Sequence, residues 1–289
     1  MVDNGLAIRA GLVGQGISQS LTPVMHEVEG RAMGLEYFYH LIDTETRTYS
    51  GLSLSDIVEQ AQRDGLVGLN VTHPYKIEIV DLLDGLSEEA RKLGAVNTVV
   101  FRGGKKFGYN TDFSGFATSF RLTMDGMPKD RVLLLGAGGA GAAVGFALLD
   151  LGVRELLVYD TDCASAQNLV RKLQTHHPST SILNPESLAH AVSLGLSGIV
   201  NATPMGMVNY PGSAFPLELL SQRYWVADVV YFPLETELLA KAKALGCQLM
   251  SGAGMAVGQA VCAFELFTRQ SANPERMALT FNRAAAVLR

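Results

Sequence analysis

The chain has 289 residues, 48% of them hydrophobic and 18% charged, with a formal charge of −5 at pH 7. That length suggests about two domains of ~150 residues, and the apolar share excludes a disordered chain. The acidic balance lacks the clustered positive charge of a nucleic-acid binder, and Cys163, Cys247 and Cys262, with no Cys-x-x-Cys, fit neither a disulfide framework nor a zinc site. Cytoplasmic residence is expected from this cysteine use and from the absence of an apolar leader core over residues 1–9. Thirty glycines, about one residue in ten against a usual ~7%, cluster between apolar runs and suggest tight strand-to-helix turns.

Taken in chain order, residues 7–13 read as a strand and 23–33 as a helix with Thr22 as N-cap and Pro23 at its first position. Strands follow at 37–42 and 66–71, a helix at 54–64, and short helices at 75–83 and 87–93. Gly103-Gly104 joins two runs, 98–102 and 106–109, as a hairpin. A helix at 113–121 leads to an exit linker, Met127-Pro128-Lys129-Asp130. The rhythm then restarts with strands at 132–135, 155–159, 198–202 and 224–230 and helices at 140–151 and 165–175, before helices at 255–267 and 274–287 close the chain. Strands separated by helices imply parallel βαβ units. Residues 132–149 are long enough and apolar enough for a membrane span, but their glycines would each cost a helix about 1 kcal/mol, so a buried strand, turn and helix is the better reading and no membrane association is expected.

Gly136-Ala137-Gly138-Gly139-Ala140-Gly141 fits Gly-x-Gly-x-x-Gly between an expected strand and an expected helix. The first glycine allows the tight turn, the second lets a pyrophosphate approach the backbone, and the third lets helix and strand pack closely. Asp160 follows roughly 20 residues on, at the end of the next strand, where a carboxylate binds ribose hydroxyls. Asp160 and Asp162 together would repel a 2′-phosphate, so NAD is expected over NADP. A glycine-rich packing turn without nucleotide is the alternative. Gly11-Leu12-Val13-Gly14-Gln15-Gly16 does not fit the fingerprint.

The first half carries polar clusters at expected strand ends: Ser20-Leu21-Thr22-Pro23, Asn70-Val71-Thr72-His73-Pro74-Tyr75-Lys76, Gly94-Ala95-Val96-Asn97-Thr98 and Asn110-Thr111-Asp112-Phe113-Ser114-Gly115. Singly each has a plain reading: Thr22 and Asp112 as N-caps, Lys76 as a solvated helix residue. With the glycine turn, Asn201-Ala202-Thr203-Pro204-Met205-Gly206-Met207, and Gly254-Met255 followed by Gln259-Ala260, the ordered set resembles the shikimate/quinate dehydrogenase family over nearly the whole chain.

The resemblance implies an α/β fold of two domains with the active site in a cleft. An N-terminal α/β substrate domain would span 1–117, with the C-terminal helices at 255–289 returning to it; a Rossmann doubly wound NAD-binding domain would span 118–254. It implies a catalytic pair, Lys76 and Asp112, with the lysine taking the proton of a ring hydroxyl while hydride leaves the same carbon for the nicotinamide. Ser20, Thr22 and Tyr231 would hold the substrate carboxylate, and Thr72, Asn97 and Gln259 the ring hydroxyls. Gly136, Ala137, Gly138, Gly139, Ala140, Asp160, Asn201, Thr203, Pro204, Met207, Val230 and Gly254 would line the cofactor. Three positions depart from the commoner biosynthetic pattern: Gly16 for a proline, Gln19 for a histidine and Thr22 for a serine. Thr22 and the acid pair look like the NAD-linked quinate/shikimate branch. An aminoshikimate dehydrogenase or other enzyme on the same frame, or a metabolite-sensing NAD-binding protein without turnover, are the rivals. The expected partner is a small cyclic hydroxy acid, no metal is implied, and a homodimer is left open. His176 and His177 read as solvated, His26 and His73 as packing or hydrogen-bonding residues, and Cys262 as core.

Overall fold

The computed structural model describes residues 7–287. Of the stretch 1–9, in which no leader is expected, residues 1–6 lie outside the described residues. The chain forms two compact units: one runs to Thr111 and resumes at Val257, and the other is Asp112–Ala256.

The first unit contains β1 (Ile8–Gly14), α1 (Thr22–Ala32), β2 (Tyr37–Asp43), α2 (Leu54–Arg63), β3 (Gly68–Val71), a 3₁₀ turn (Glu78–Leu82), β4 (Gly85–Leu86), α3 (Glu88–Leu93), β5 (Thr98–Arg102) and β6 (Lys105–Tyr109). They make one mixed sheet in the order β2-β1-β3-β5-β6-β4. β1 lies parallel to β2 and β3, as the crossovers α1 and α2 require, while β5 runs antiparallel to β3 and β6. Val13, Ile42, Val71 and Val99 from the sheet meet Leu54, Ile57 and Val58 of α2 in one apolar cluster.

The second unit contains α4 (Thr111–Thr123, entering from the last residue of the first), β7 (Arg131–Leu135), α5 (Gly139–Asp150), β8 (Glu155–Tyr159), α6 (Cys163–His176), β9 (Ser181–Leu183), α7 (Leu188–Ser193), β10 (Gly198–Asn201), β11 (Trp225–Asp228), α8 (Glu237–Ala244) and β12 (Leu249–Met250). Its sheet is wholly parallel, in the order β12-β11-β10-β7-β8-β9. This is the doubly wound dinucleotide-binding order, and the winding reverses between β7 and β10. The register aligns Leu135 with Asn201, Asn201 with Asp228, and Leu135 with Tyr159, so four strands end at one level. α9 (Gly252–Thr268) carries the chain back across the boundary, and α10 (Pro274–Val287) packs on α1 of the first unit.

Residues 132–149 form β7, the glycine turn and α5, and no helix among the described residues is long and apolar enough to cross a membrane. Several local expectations need correction. Leu21, not Thr22, is the α1 N-cap, because the helix already includes Thr22; the Ser20 Oγ accepts the Thr22 N–H at 3.3 Å. Asp112 likewise lies inside the first turn of α4 rather than at its cap. The expected helix at 75–83 shortens to the 3₁₀ turn, and the short elements β4, β9, β12, α7 and α8 carried too little periodicity to be recognised. The linker is held in place: Trp225 Nε1 donates to the Pro128 carbonyl at 2.8 Å.

Candidate active site

The glycine turn follows β7. Gly136 has φ +99°, which only glycine adopts easily, and a Cβ there would sit 2.9 Å from the Ala202 carbonyl oxygen. At Gly141 a Cβ would come 2.0 Å from the Gly136 carbonyl oxygen, so this glycine lets α5 rise directly against the turn. Gly138 and Gly139 differ: a Cβ on either would meet nothing within 4 Å. Gly138 is the N-cap of α5 and offers no side-chain cap, so the first N–H groups of the helix face an open cradle. The Ala137 N–H donates to Asp160 Oδ2 at 2.7 Å, tying the turn to the end of β8. Asp162 caps α6, accepting from Ala164 N at 3.1 Å and from the Ser165 hydroxyl, which together hold its carboxyl below the usual range. The second acid of the pair therefore has a local structural use.

At the ends of β10 and β11 lies a buried polar knot. Asp228 accepts from Asn201 Nδ2 (2.9 Å), Val230 N (2.9 Å) and Thr236 Oγ1 (2.7 Å). Its carboxyl is pushed up to about 6, because burial outweighs these three neutral donors. The Asn201 oxygen accepts from Thr203 N and Oγ1, and its nitrogen also donates to Met205 O. The Asn201 side chain thus faces inward and shapes the loop carrying Thr203, Pro204 and Met207. Val230 is buried next to Asp228, whereas Tyr231 is 39% exposed. Desolvation and the neighbouring Asp112 carboxylate both push the Tyr231 phenol up. Asp112 itself is buried. Gly254 faces Ser119 Oγ, which a Cβ would approach to 2.1 Å, so close helix packing explains this glycine.

In the first unit, Asn97 is buried at the start of β5. Its oxygen accepts from Thr111 N (2.7 Å), Thr111 Oγ1 (3.1 Å) and Thr98 Oγ1 (3.0 Å), and its Nδ2 donates to Gln259 Oε1 at 3.4 Å. Asn97 and Gln259, 162 positions apart, are thereby brought together. Lys76 is half-buried ahead of the 3₁₀ turn, and its carbonyl accepts the Val96 N–H at 2.8 Å. Thr72, Ser20 and Thr22 are also half-buried. Sequence reasoning assigned no role to Tyr39, Thr236 or Asp228. An acid ending the apolar run Trp225-Val226-Ala227-Asp228 was the available signal.

His26 is fully buried, with Nδ1 3.0 Å from the Tyr37 hydroxyl, and burial lowers its pKa to about 3. His73 is exposed, contrary to a packing role. His176 is exposed, as a solvated residue is, with its ring edge-on to Phe146 at 5.3 Å, while His177 is half-buried and lies 3.6 Å from Asp150. Cys262 is half-buried in α9, not core, and burial pushes its thiol up. Among the described residues no cluster of three His, Cys, Asp or Glu side chains could hold a metal ion.

Residues 12–99 match the family model for the shikimate dehydrogenase substrate binding domain. A protein of Arthrobacter sp. (strain FB24) named shikimate dehydrogenase (NADP(+)) is 45% identical over 94% of this chain and 93% of its own length. One of Corynebacterium efficiens named quinate/shikimate dehydrogenase (NAD(+)) is 44% identical over 95% and 98%. The solved structure of quinate dehydrogenase from Corynebacterium glutamicum in complex with NAD superposes with a TM-score of 0.92 at 43% identity, covering 96% of this chain and 99% of that one.

Proposed function

The chain belongs to the shikimate dehydrogenase family, and we propose that it is an oxidoreductase catalysing reversible, NAD-dependent dehydrogenation of a ring hydroxyl on quinate, shikimate or a close analogue. The observation that carries this reading is the glycine turn. Its first and third glycines are demanded by backbone geometry, while Gly138 and Gly139 leave open space at a helix N-terminus where a pyrophosphate fits.

A bound nicotinamide supplies the hydride acceptor or donor. The protein's own part is proton transfer and orientation. Lys76 takes the proton from the hydroxyl oxygen during oxidation and returns it to the carbonyl oxygen during reduction, with Asp112 as the second member of the catalytic pair. Asn97, Gln259 and Thr72 hold the ring oxygens; Ser20, Thr22 and Tyr231 hold the carboxylate. In the cofactor half, Ala137, Ala140, Thr203, Pro204, Met207 and Val230 flank the nucleotide. Gly254 joins this set, and its missing side chain also lets α9 pack closely against Ser119.

The preference for NAD rests on Asp160 at the end of β8, whose carboxylate is already aligned by the Ala137 N–H. A 2′-phosphate there would meet a negative charge with no arginine among the neighbouring residues 159–164. Relatives of nearly equal identity bear both cofactor names, so the decisive experiment runs both nucleotides against a panel of cyclic acids, following reduced nicotinamide by absorbance. Turnover with NAD and a cyclohexane or cyclohexene carboxylate is expected. A folded protein that binds NAD but turns over none of these acids refutes the activity. Lys76→Ala should lower turnover by orders of magnitude at nearly unchanged NAD affinity, and undiminished turnover would remove Lys76 from the mechanism. Asp160→Ala combined with a neighbouring arginine should shift preference towards NADP.

A further inference from the structure

Two carboxamides in the first unit have orientations that backbone groups leave in no doubt. The Thr111 N–H can only donate, so the atom of Asn97 that it meets at 2.7 Å is the oxygen. The Asn97 main-chain carbonyl can only accept, so the atom of Asn70 that meets it at 3.3 Å is the nitrogen. Asn70 therefore turns its oxygen to the Tyr39 hydroxyl, at 2.7 Å, and its nitrogen also to Thr98 Oγ1, at 2.9 Å. Thr98, having accepted from Asn70, has both the Asn97 oxygen (3.0 Å) and the Thr111 hydroxyl (3.3 Å) within reach of its own proton, and the shorter contact, to Asn97, continues the chain. Tyr39 is buried at the far end of this chain and Thr98 is fully buried in its middle. Every donor points the same way: Tyr39 to Asn70, Asn70 to Thr98, Thr98 to Asn97.

We infer that this one-way chain makes Tyr39, Asn70, Thr98 and Thr111 positioning residues for substrate selection, by locking the Asn97 carboxamide with its oxygen inward and only N–H groups left to offer. The inference rests on the proposed dehydrogenase reading for its substrate. With three donors on its oxygen, Asn97 has no remaining strong acceptor site. One Nδ2 hydrogen goes to Gln259 Oε1, which in turn leaves the Gln259 Nε2 hydrogens for the ligand. This face of the site then recognises oxygen lone pairs, a ring hydroxyl used as acceptor or a ring carbonyl, and rejects a group that can only donate. A ring amine held as an ammonium, three donors and no acceptor, is such a group and would face donors. The rule favours oxygen-substituted over amine-substituted rings at the position meeting Asn97.

The test is Thr98→Val, which keeps shape and removes both links at the centre of the chain together with the contact to the Thr111 hydroxyl. The Michaelis constant for the cyclic acid should rise about tenfold, the worth of roughly one good hydrogen bond, with kcat within about threefold and NAD affinity unchanged. Thr98→Ser should restore the wild-type value, and Tyr39→Phe, two links further out, should give a smaller rise of about threefold. The Asn97 side-chain NH₂ resonances, assigned in the NAD-bound protein by nitrogen-15 NMR, should move and exchange faster in Thr98→Val. That readout needs no turnover. If the wild type binds no cyclic acid but the resonances move, the dehydrogenase reading fails and the locked carboxamide stands. If the resonances and the Michaelis constant both stay at wild-type values in folded Thr98→Val, or if Thr98→Ser fails to restore them, the inference is overturned.

Discussion

Glu29 in the first unit and Asp228 in the second are both buried carboxylates, and the two are handled in opposite ways. In the first unit Glu29 of α1 meets Arg276 of α10 through two bonds of 2.6 and 2.8 Å and accepts the Asn273 N–H at 2.8 Å. Burial raises its pKa, but the arginine and the N–H outweigh burial and hold the carboxyl below its ordinary value. In the second unit Asp228 meets only neutral donors, and its carboxyl rises to about 6. The first arrangement clamps α10, near the C-terminus, onto α1 with charge. The second gathers loops at the ends of parallel strands, where the glycine turn stays close to neighbouring backbone. A charged partner stabilises the ionised acid; hydrogen bonds from neutral groups orient it without cancelling its desolvation.

Close backbone approach in the second unit predicts the largest effect. Gly141→Ala should destabilise that unit by about 3 kcal/mol or more, since its Cβ would meet backbone and not a side chain that can move. Denaturant unfolding followed by Trp225 fluorescence reports it, and a wild-type midpoint would disprove the packing account. The charge clamp of the first unit comes next. Arg276→Met should destabilise the first unit, because it leaves the buried Glu29 carboxylate without its charged partner, though the loss is reduced by the arginine's 37% exposure. Adding Glu29→Gln should recover much of that loss, and no recovery would mean that the charge left behind is not the cause.

Acidification should then change the stability of the two units in opposite directions. His26 titrates at about 3 in the folded chain against 6.5 unfolded, so below pH 6.5 the unfolded state binds a proton that the native state refuses, and stability falls. Asp228 holds its proton up to about 6 folded against 3.8 unfolded, so stability rises as pH falls through 6. From pH 7 to 5 the first unit should lose about 2 kcal/mol and the second gain about 1. The depressed carboxyl of Glu29 acts below its ordinary value of 4.5 and adds further loss only there. Native-state hydrogen exchange in β1 and β3 against β7 and β10 separates the two, and shifts of one sign in both would refute the assignment. The smallest stability effect belongs to Gly138→Ala, within about 0.5 kcal/mol because its φ of −77° and open surroundings accept a methyl group. NAD affinity should nonetheless fall, and undiminished affinity would show that the cradle is not where the phosphates lie.

The legible parts of the molecule were those whose cause is local. The βαβ rhythm, the glycine turn and the acid at the end of β8 lie within short runs whose periodicity and spacing carry the physics. The helix start at residue 22, the exposed His73 and the elements of two or three residues were not legible, because a single turn or pair of strand residues is decided by what packs on it. Asn97 and Asn201 make the same point within the site. Both occur in recognisable motifs, yet one faces inward to Asp228, 27 positions away, and the other is locked by Thr111, 14 positions away, so that it offers only N–H groups.

The amino-acid sequence alone determined that this protein is a two-part α/β chain with a glycine turn after a buried strand, since glycine geometry and apolar spacing act over a few residues. Only the tertiary structure decided which way each buried amide and carboxyl faces, because a hydrogen bond's direction depends on partners that folding brings from distant segments, and that direction sets what each group can bind.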